Sequence, residues 1–241
     1  MSTITLISGA NQGIGLATAT KLAADHGHHV IVGARSAEAG AKVAASLQSE
    51  GHSASSVQLD LGSDASIVAA AETIKQQFGR LDVLINNAGI LIDGKTPDQP
   101  IRDLFTQTFA TNVIGTACLT EAMLPLLRKS ALPRVVFVSS RMGSLEQATN
   151  HDTPFFASDY KAYDASKAAV NMVALNYARI LEDVGGRVNV ACPGLVATGL
   201  TGYVSYGATP QLGAQRIVEL ATVGKDGPTM TFSDRDGEVA W

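Results

Sequence analysis

Short apolar runs of strand length alternate with amphipathic stretches of helix length along the chain, and this alternation restricts the fold more than any other feature. Residues 3–8, 30–33, 56–59, 83–85, 135–139 and 188–191 are rich in Val, Ile and Leu and bounded by turn residues, so each reads as a buried parallel strand. Between them, residues 16–25, 37–49, 64–78 and 165–181 carry Ala, Leu, Lys, Glu and Gln at helical spacing. Strand–helix–strand order with right-handed crossovers predicts an α/β fold, a doubly wound and mostly parallel sheet of about seven strands with helices on both faces. No linker, low-complexity tract or repeat divides residues 1–241, which therefore read as one domain. The polar stretch 143–162 fits neither period and reads as a loop or short helical excursion. Asp234 to Gly237 reads as a hairpin-like turn that closes the sheet edge.

Composition excludes several function classes. With 46% hydrophobic residues and only 17% charged, the chain can bury a large core, and neither disorder nor a coiled coil fits. The 18 basic residues against 22 acidic ones give a net charge of −4, so no cationic field exists to hold a nucleic-acid backbone. Cys118 and Cys192 have neither disulfide-framework nor zinc spacing, and His26, His28 and His29 offer no ligand geometry, so no metal is expected. Finding no basic leader and no apolar stretch of membrane-spanning length, we expect a cytoplasmic protein with no membrane partner.

Directly after the first strand comes Ser8-Gly9-Ala10-Asn11-Gln12-Gly13-Ile14-Gly15, opening the first helix. Glycines permit a tight turn and let backbone N–H groups and the helix N-terminus approach a pyrophosphate. The spacing GxxxGxG is also compatible with an ordinary strand-to-helix connection. At the end of the second strand, where an acidic residue would bond the ribose 2'-hydroxyl of NAD, stand Arg35 and Ser36. Arg35 suits the 2'-phosphate of NADP(H), and Gly33 and Ala34 supply no carboxylate to repel it. The alternative is an arginine that only solvates the loop. Asp60, followed by Leu61 after the third strand, suits either an adenine amino group or a cap on a helix from Gly62 onward.

The strongest chemical spacing is Tyr163-Asp164-Ala165-Ser166-Lys167. Positions four apart on a helix share a face, and an ammonium beside a phenol favours the phenolate. The spacing alone arises by chance in about one such chain in five. Its company is more specific. In chain order stand the Gly-rich turn, Asn86-Asn87-Ala88-Gly89, Asn112, Ser139-Ser140, the YxxxK pair and Pro193-Gly194-Leu195-Val196-Ala197-Thr198.

This ordered set resembles the short-chain dehydrogenase/reductase family over essentially the whole chain. Gly13 to Ala17, Gly33-Ala34-Arg35 and Cys192-Pro193-Gly194 look most like its NADPH-dependent carbonyl reductases. The resemblance implies a Rossmann fold and places the family's catalytic tetrad on Asn112, Ser140, Tyr163 and Lys167. Ser140 is preferred to Ser139 because it precedes an x-x-Gly segment, Arg141-Met142-Gly143, and because strand neighbours face opposite ways. The implied reaction moves hydride from the nicotinamide to a ketone or aldehyde carbonyl. Tyr163 gives the proton, Ser140 holds the oxygen, Lys167 lowers the phenol pKa and bonds the nicotinamide ribose, and Asn112 holds a water linked to Lys167. Asn112 alone reads as a helix-interior amide bonded to backbone.

The implied cofactor contacts are Gly9, Asn11, Gln12, Gly13, Ile14, Gly15, Arg35, Ser36, Asp60, Leu61, Asn87, Ala88, Gly89, Tyr163, Lys167, Pro193, Gly194, Val196 and Thr198. Asn87 to Gly89 and Pro193-Gly194 also suit stiff exits from strands. Gln12 stands where NADPH-preferring relatives often carry a base, which weakens the expected preference. Segment 144–160 is an insertion expected to wall the substrate pocket or alter a subunit interface, and 199–210 is the expected substrate-covering loop. Phe155, Phe156, Tyr203 and Tyr206 serve there either as an open aromatic pocket or as packing residues. A homodimer, a homotetramer and a monomer are all compatible with the sequence. Two other functions remain open: a cofactor-binding sensor or scaffold without turnover, and a biosynthetic imine reductase or cyclase.

Overall fold

The computed structural model describes residues 2–95 and 98–241; Met1, Thr96 and Pro97 of the expected domain lie outside the described residues. Four parallel strands, β1 (Ile4–Ser8), β2 (His29–Ala34), β3 (Ala54–Gln58) and β4 (Val83–Asn86), alternate with α1 (Gly13–His26), α2 (Ala37–Ser49) and α3 (Asp64–Phe78). A long helical passage follows: α4 (Ile101–Phe109), a π-helical turn (Ala110–Gly115) and α5 (Thr116–Leu127). Then come β5 (Arg134–Val138), α6 (Lys161–Ile180), β6 (Arg187–Ala191), α7 (Pro210–Gly213), α8 (Gln215–Ala221), β7 (Phe232–Asp234) and β8 (Gly237–Glu238).

The sheet order is β3-β2-β1-β4-β5-β6-β7-β8, so the described sheet has eight strands against about seven expected. β8 is the added strand. It runs antiparallel to β7 and closes the edge through the turn at Asp234 to Gly237. The order reverses direction between β1 and β4, which opens a crevice at their carboxyl ends.

Alternation along the strands divides the core. Leu6, Leu84, Val135 and Phe137 point into one layer with α3, α5 and α6, while Ile7, Ile85, Val136 and Val138 point into the other with α1, α2 and α8. Each of these strand side chains is at most 7% exposed, which explains continuous apolar runs in place of an in–out pattern.

Two local expectations are corrected. The apolar passage Ile101–Leu127 is long and apolar enough by length and composition to cross a membrane, contrary to the expectation that no stretch reaches that length. Half of its most apolar window is buried, and its α5 part packs on α3 and β4 within the core. Asp60 does not cap α3: Ser63 is the N-cap, its Oγ accepting from Ser66 N at 3.3 Å, and Asp60 Oδ1 instead accepts from Gly62 N at 3.0 Å.

Candidate active site

A cleft of about 490 Å³ runs along the crevice between β1 and β4. Its floor is the Gly-rich turn. Gly9 and Gly13 adopt φ of +66° and +56°, and a Cβ on Gly15 would lie 2.4 Å from the Gly9 carbonyl oxygen, so no side chain fits there. Ser8 straps the two strands across the switch point, its Oγ accepting from the N–H groups of Asn87 and Ala88, both at 3.0 Å. Asn87 Nδ2 in turn donates to the Ser8 carbonyl at 2.8 Å, so this amide holds the turn's shape.

Gly9, Asn11, Gln12, Gly13, Ile14, Gly15, Arg35, Ser36, Asp60, Leu61, Asn87, Ala88, Gly89 and Thr198 all line this cleft. Ile90, Thr111 and Tyr203 join them without having been singled out as contacts. The structure does not bring the other five expected contacts to the same wall. Pro193 and Gly194 line a second cavity of about 550 Å³ with Arg141, Asp234 and residues of the 144–160 segment. Val196 is buried against Gly213, Lys167 lies behind Gly89, and Tyr163 is buried beside Lys167.

The cleft fits a dinucleotide. Helix α1 begins at Gly13 with no side-chain cap, so its first N–H groups open onto a concavity that glycines keep clear. Arg35 is exposed at the rim beside Ser36, and its guanidinium has no partner among the described residues. Ser36 Oγ is committed to α2, accepting from Ala39 N at 3.2 Å.

Asn112 and Lys167 lie behind the Gly89 wall of this cleft, and Tyr163 and Ser140 adjoin Lys167 in turn. A Cβ on Gly89 would lie 3.3 Å from Asn112 Oδ1 and 3.6 Å from Lys167 Nζ. Tyr163 and Lys167 share one face of α6, with Lys167 Nζ 5.5 Å from the centre of the phenol ring. The Ser140 hydroxyl hydrogen-bonds with that of Tyr163 and also accepts from Met142 N at 3.2 Å. Ser139 is turned inward, its Oγ donating to the Lys167 carbonyl at 3.3 Å.

The local electrostatics differ from expectation. Burial is the main cause that pushes the Tyr163 phenol well above its ordinary value; Cys192 and Asp164 add to the rise, and Ser140 opposes it. Lys167 does not offset this. Burial lowers its ammonium to about 8, and Nζ donates to the Val138 carbonyl at 2.9 Å. The phenol is thus held in its protonated form around neutrality, the form a proton donor requires.

Asn112 sits in the π-helical turn, a distortion often found at functional sites. Its Oδ1 accepts from Ile90 N at 2.8 Å, while Nδ2 donates to the Ile90 carbonyl at 2.9 Å and to Ser166 Oγ at 3.0 Å. Ser166 Oγ donates onward to the Tyr163 carbonyl at 2.6 Å, a link the sequence reading missed. The Asn112 side chain therefore ties the loop after β4 to α6, with both amide hydrogens committed to that role.

The added segment folds back over the C-terminal hairpin. Arg141 Nε meets Asp234 Oδ2 at 2.6 Å, and Glu146 N donates to the Trp241 carbonyl at 3.1 Å. Phe156 stacks on His151 rather than on the core, with ring centres 4.1 Å apart. Gly199, Leu200 and Tyr203 line the first cleft, and Tyr203 (71% exposed) and Tyr206 (80%) are surface residues rather than packing ones.

Comparison with known proteins agrees with this architecture. The family profile described as short chain dehydrogenase matches residues 3–207. A short-chain dehydrogenase of Penicillium roqueforti, anuI, is 37% identical over 226 residues, covering 92% of this chain and 89% of that protein. Carbonyl reductase (NADPH) 1 of Sus scrofa is 30% identical, covering 99% of this chain and 94% of its own. Among solved structures, the NADPH-bound carbonyl reductase from chicken fatty liver superposes with a TM-score of 0.83 at 25% identity, covering both chains completely.

Proposed function

The chain belongs to the short-chain dehydrogenase/reductase family of oxidoreductases, and from that premise we propose that it is an NADPH-dependent reductase acting on a ketone or aldehyde carbonyl. The observation that carries this reading is Gly89. It forms part of the dinucleotide cleft and, having no side chain, leaves Lys167 Nζ and Asn112 Oδ1 directly behind that wall.

The bound nicotinamide supplies hydride from C4. Gly9 to Gly15 and the α1 N-terminus hold the pyrophosphate, and Arg35 pairs with the 2'-phosphate. Ser140 donates its hydroxyl hydrogen bond to the carbonyl oxygen as charge develops there. Tyr163, protonated around pH 7, gives its phenolic proton to that oxygen. The Lys167 ammonium beside the ring stabilises the phenolate left on Tyr163 and would bond the nicotinamide ribose. Asn112 and Ser166 keep the loop after β4 and the first turns of α6 in register.

The test is turnover with NADPH and then NADH, followed by nicotinamide absorbance over aromatic and aliphatic ketones and aldehydes. Tight NADPH binding without turnover on the whole panel would move weight to a sensor or to an imine substrate. A cofactor-swap variant adds a sign. Arg35→Glu replaces an attractive charge by a repulsive one, so NADPH kcat/KM is expected to fall by about 10²-fold while NADH changes by less than about threefold. Equal losses with both cofactors would remove Arg35 from 2'-phosphate recognition.

A further inference from the structure

The turn that carries Ser140 is held from outside the cleft. Ser140 caps the short helical turn Arg141–Gly143, its Oγ accepting from Met142 N at 3.2 Å. On the α6 side, Asn171 Nδ2 donates to the Gly143 carbonyl at 3.2 Å. On the other side two strand ends reach for Arg141. Its backbone N–H donates to the Sγ of Cys192, the residue after β6, at 3.3 Å. Its guanidinium grips Oδ2 of Asp234, the last residue of β7, through Nε at 2.6 Å and a terminal nitrogen at 2.5 Å. Cys192 and Asp234 stand close together because Cys192 N donates to the Ser233 carbonyl at 2.9 Å, continuing the parallel β6–β7 ladder.

The Asp234 side chain has its direction fixed by its own hairpin. Oδ1 accepts from Asp236 N at 2.9 Å, which ties the carboxylate into the turn between β7 and β8 and leaves Oδ2 to Arg141. The carboxylate is 6% exposed, so leaving it unpaired is costly, and an arginine fork fixes direction as well as charge. The next two residues do not compete: Arg235 and Asp236 are exposed and lie 3.8 Å from each other. The C-terminal segment also holds the far flank of the turn. Ser144 Oγ and Glu146 N donate to the Trp241 carbonyl at 3.4 and 3.1 Å, and the Trp241 ring lies against Phe232 of β7.

We propose that Asp234 is a positioning residue for catalysis: acting through Arg141, it fixes the turn that sets the Ser140 hydroxyl against Tyr163, so the C-terminal hairpin supports the active site from behind. The catalytic consequence rests on the reductase reading; the anchoring of the turn does not.

Arg141 is the covalent neighbour of Ser140, so a shift at its anchor reaches the serine through one peptide unit. Misplacing a reacting group by about 1 Å can cost about 10²-fold in rate, and partial loosening of one of several anchors costs less.

The experiment centres on Asp234→Asn, whose amide oxygen still accepts from Asp236 N while the charge facing Arg141 is lost. In the intact protein kcat should fall about tenfold, with NADPH affinity within about threefold of wild type. In a Ser140→Ala background the same substitution should cost less than about threefold, because the group it positions is gone. Arg141→Lys keeps a positive charge for Asp234 but not the fork, and should give a smaller loss of the same sign. Amide hydrogen exchange followed by NMR reads the anchoring without turnover. Protection of the Arg141 and Met142 N–H groups should drop at least about tenfold in Asp234→Asn, while that of Val170 within α6 stays as in wild type. Should Asp234→Asn fail to fold, Arg141→Lys carries both measurements.

An equal kcat loss with and without the Ser140 hydroxyl would give Asp234 a general structural role and overturn the proposal, as would wild-type kcat in both variants. Unchanged protection at Arg141 and Met142 would overturn the anchoring itself. Should the wild type reduce no carbonyl while that protection is lost in the variant, the anchoring stands and the reductase reading falls.

Discussion

Tyr163→Phe is expected to lower turnover by about 10²- to 10⁴-fold while NADPH binding stays within about threefold of wild type. The ring is 8% exposed and packed where Phe can replace it, so the substitution deletes the acid and little else. The lost hydroxyl interaction with Ser140 accounts for about 1 kcal/mol of stability at most. Absorbance turnover measures the first effect, and fluorescence titration with NADPH the second. A variant within tenfold of wild type would show that another group, or solvent, donates the proton.

Gly143→Ala is expected to damage both stability and turnover through a single methyl group. The added Cβ would lie 2.6 Å from the Lys167 carbonyl carbon and 2.8 Å from both Ala168 N and Lys167 Cβ. Two of these three atoms are helix backbone, so no rotamer change relieves the clash and either the Ser140 turn or α6 must shift. Overpacking of this kind costs about 1–3 kcal/mol, or a Tm fall of about 2–12 °C in a chain of this size. The shift also separates Ser140 from Tyr163 and Lys167, so kcat should fall by at least about tenfold. Calorimetry with turnover tests both. An unchanged Tm would mean that the turn can move freely, and the close packing of Ser140 on α6 would then not explain the site's geometry.

Local chemistry was legible wherever a residue's partner stood nearby in sequence. Helices α2 and α3 span the residues that periodicity selected, because Ser36 and Ser63 cap them three residues ahead of the N–H groups they accept from. The Gly-rich turn was legible because its positive-φ positions, Gly9 and Gly13, leave a compositional trace. Helix α6 begins at Lys161, ahead of both the periodic stretch from Ala165 and the Tyr163–Lys167 pair that was read as helical. Nothing in 160–164 announces a start, since the acceptor that permits one is Asp93. The π-helical turn at Asn112 was hidden for the same reason: the bonds that hold its amide run to Ile90 and Ser166.

The sequence by itself determined the class of fold and the alternation of its first strands and helices, and it nominated the residues suited to bind phosphate or carry a proton, because these follow from short-range periodicity, turn conformation and side-chain chemistry. The tertiary structure alone decided that Gly89 stands between the cleft and Lys167, that Pro193 and Gly194 open onto a different cavity, and that burial pushes the Tyr163 phenol up. Those outcomes depend on desolvation and on contacts between segments 50 to 100 residues apart, and burial is a property of the packed assembly that no stretch of chain carries on its own.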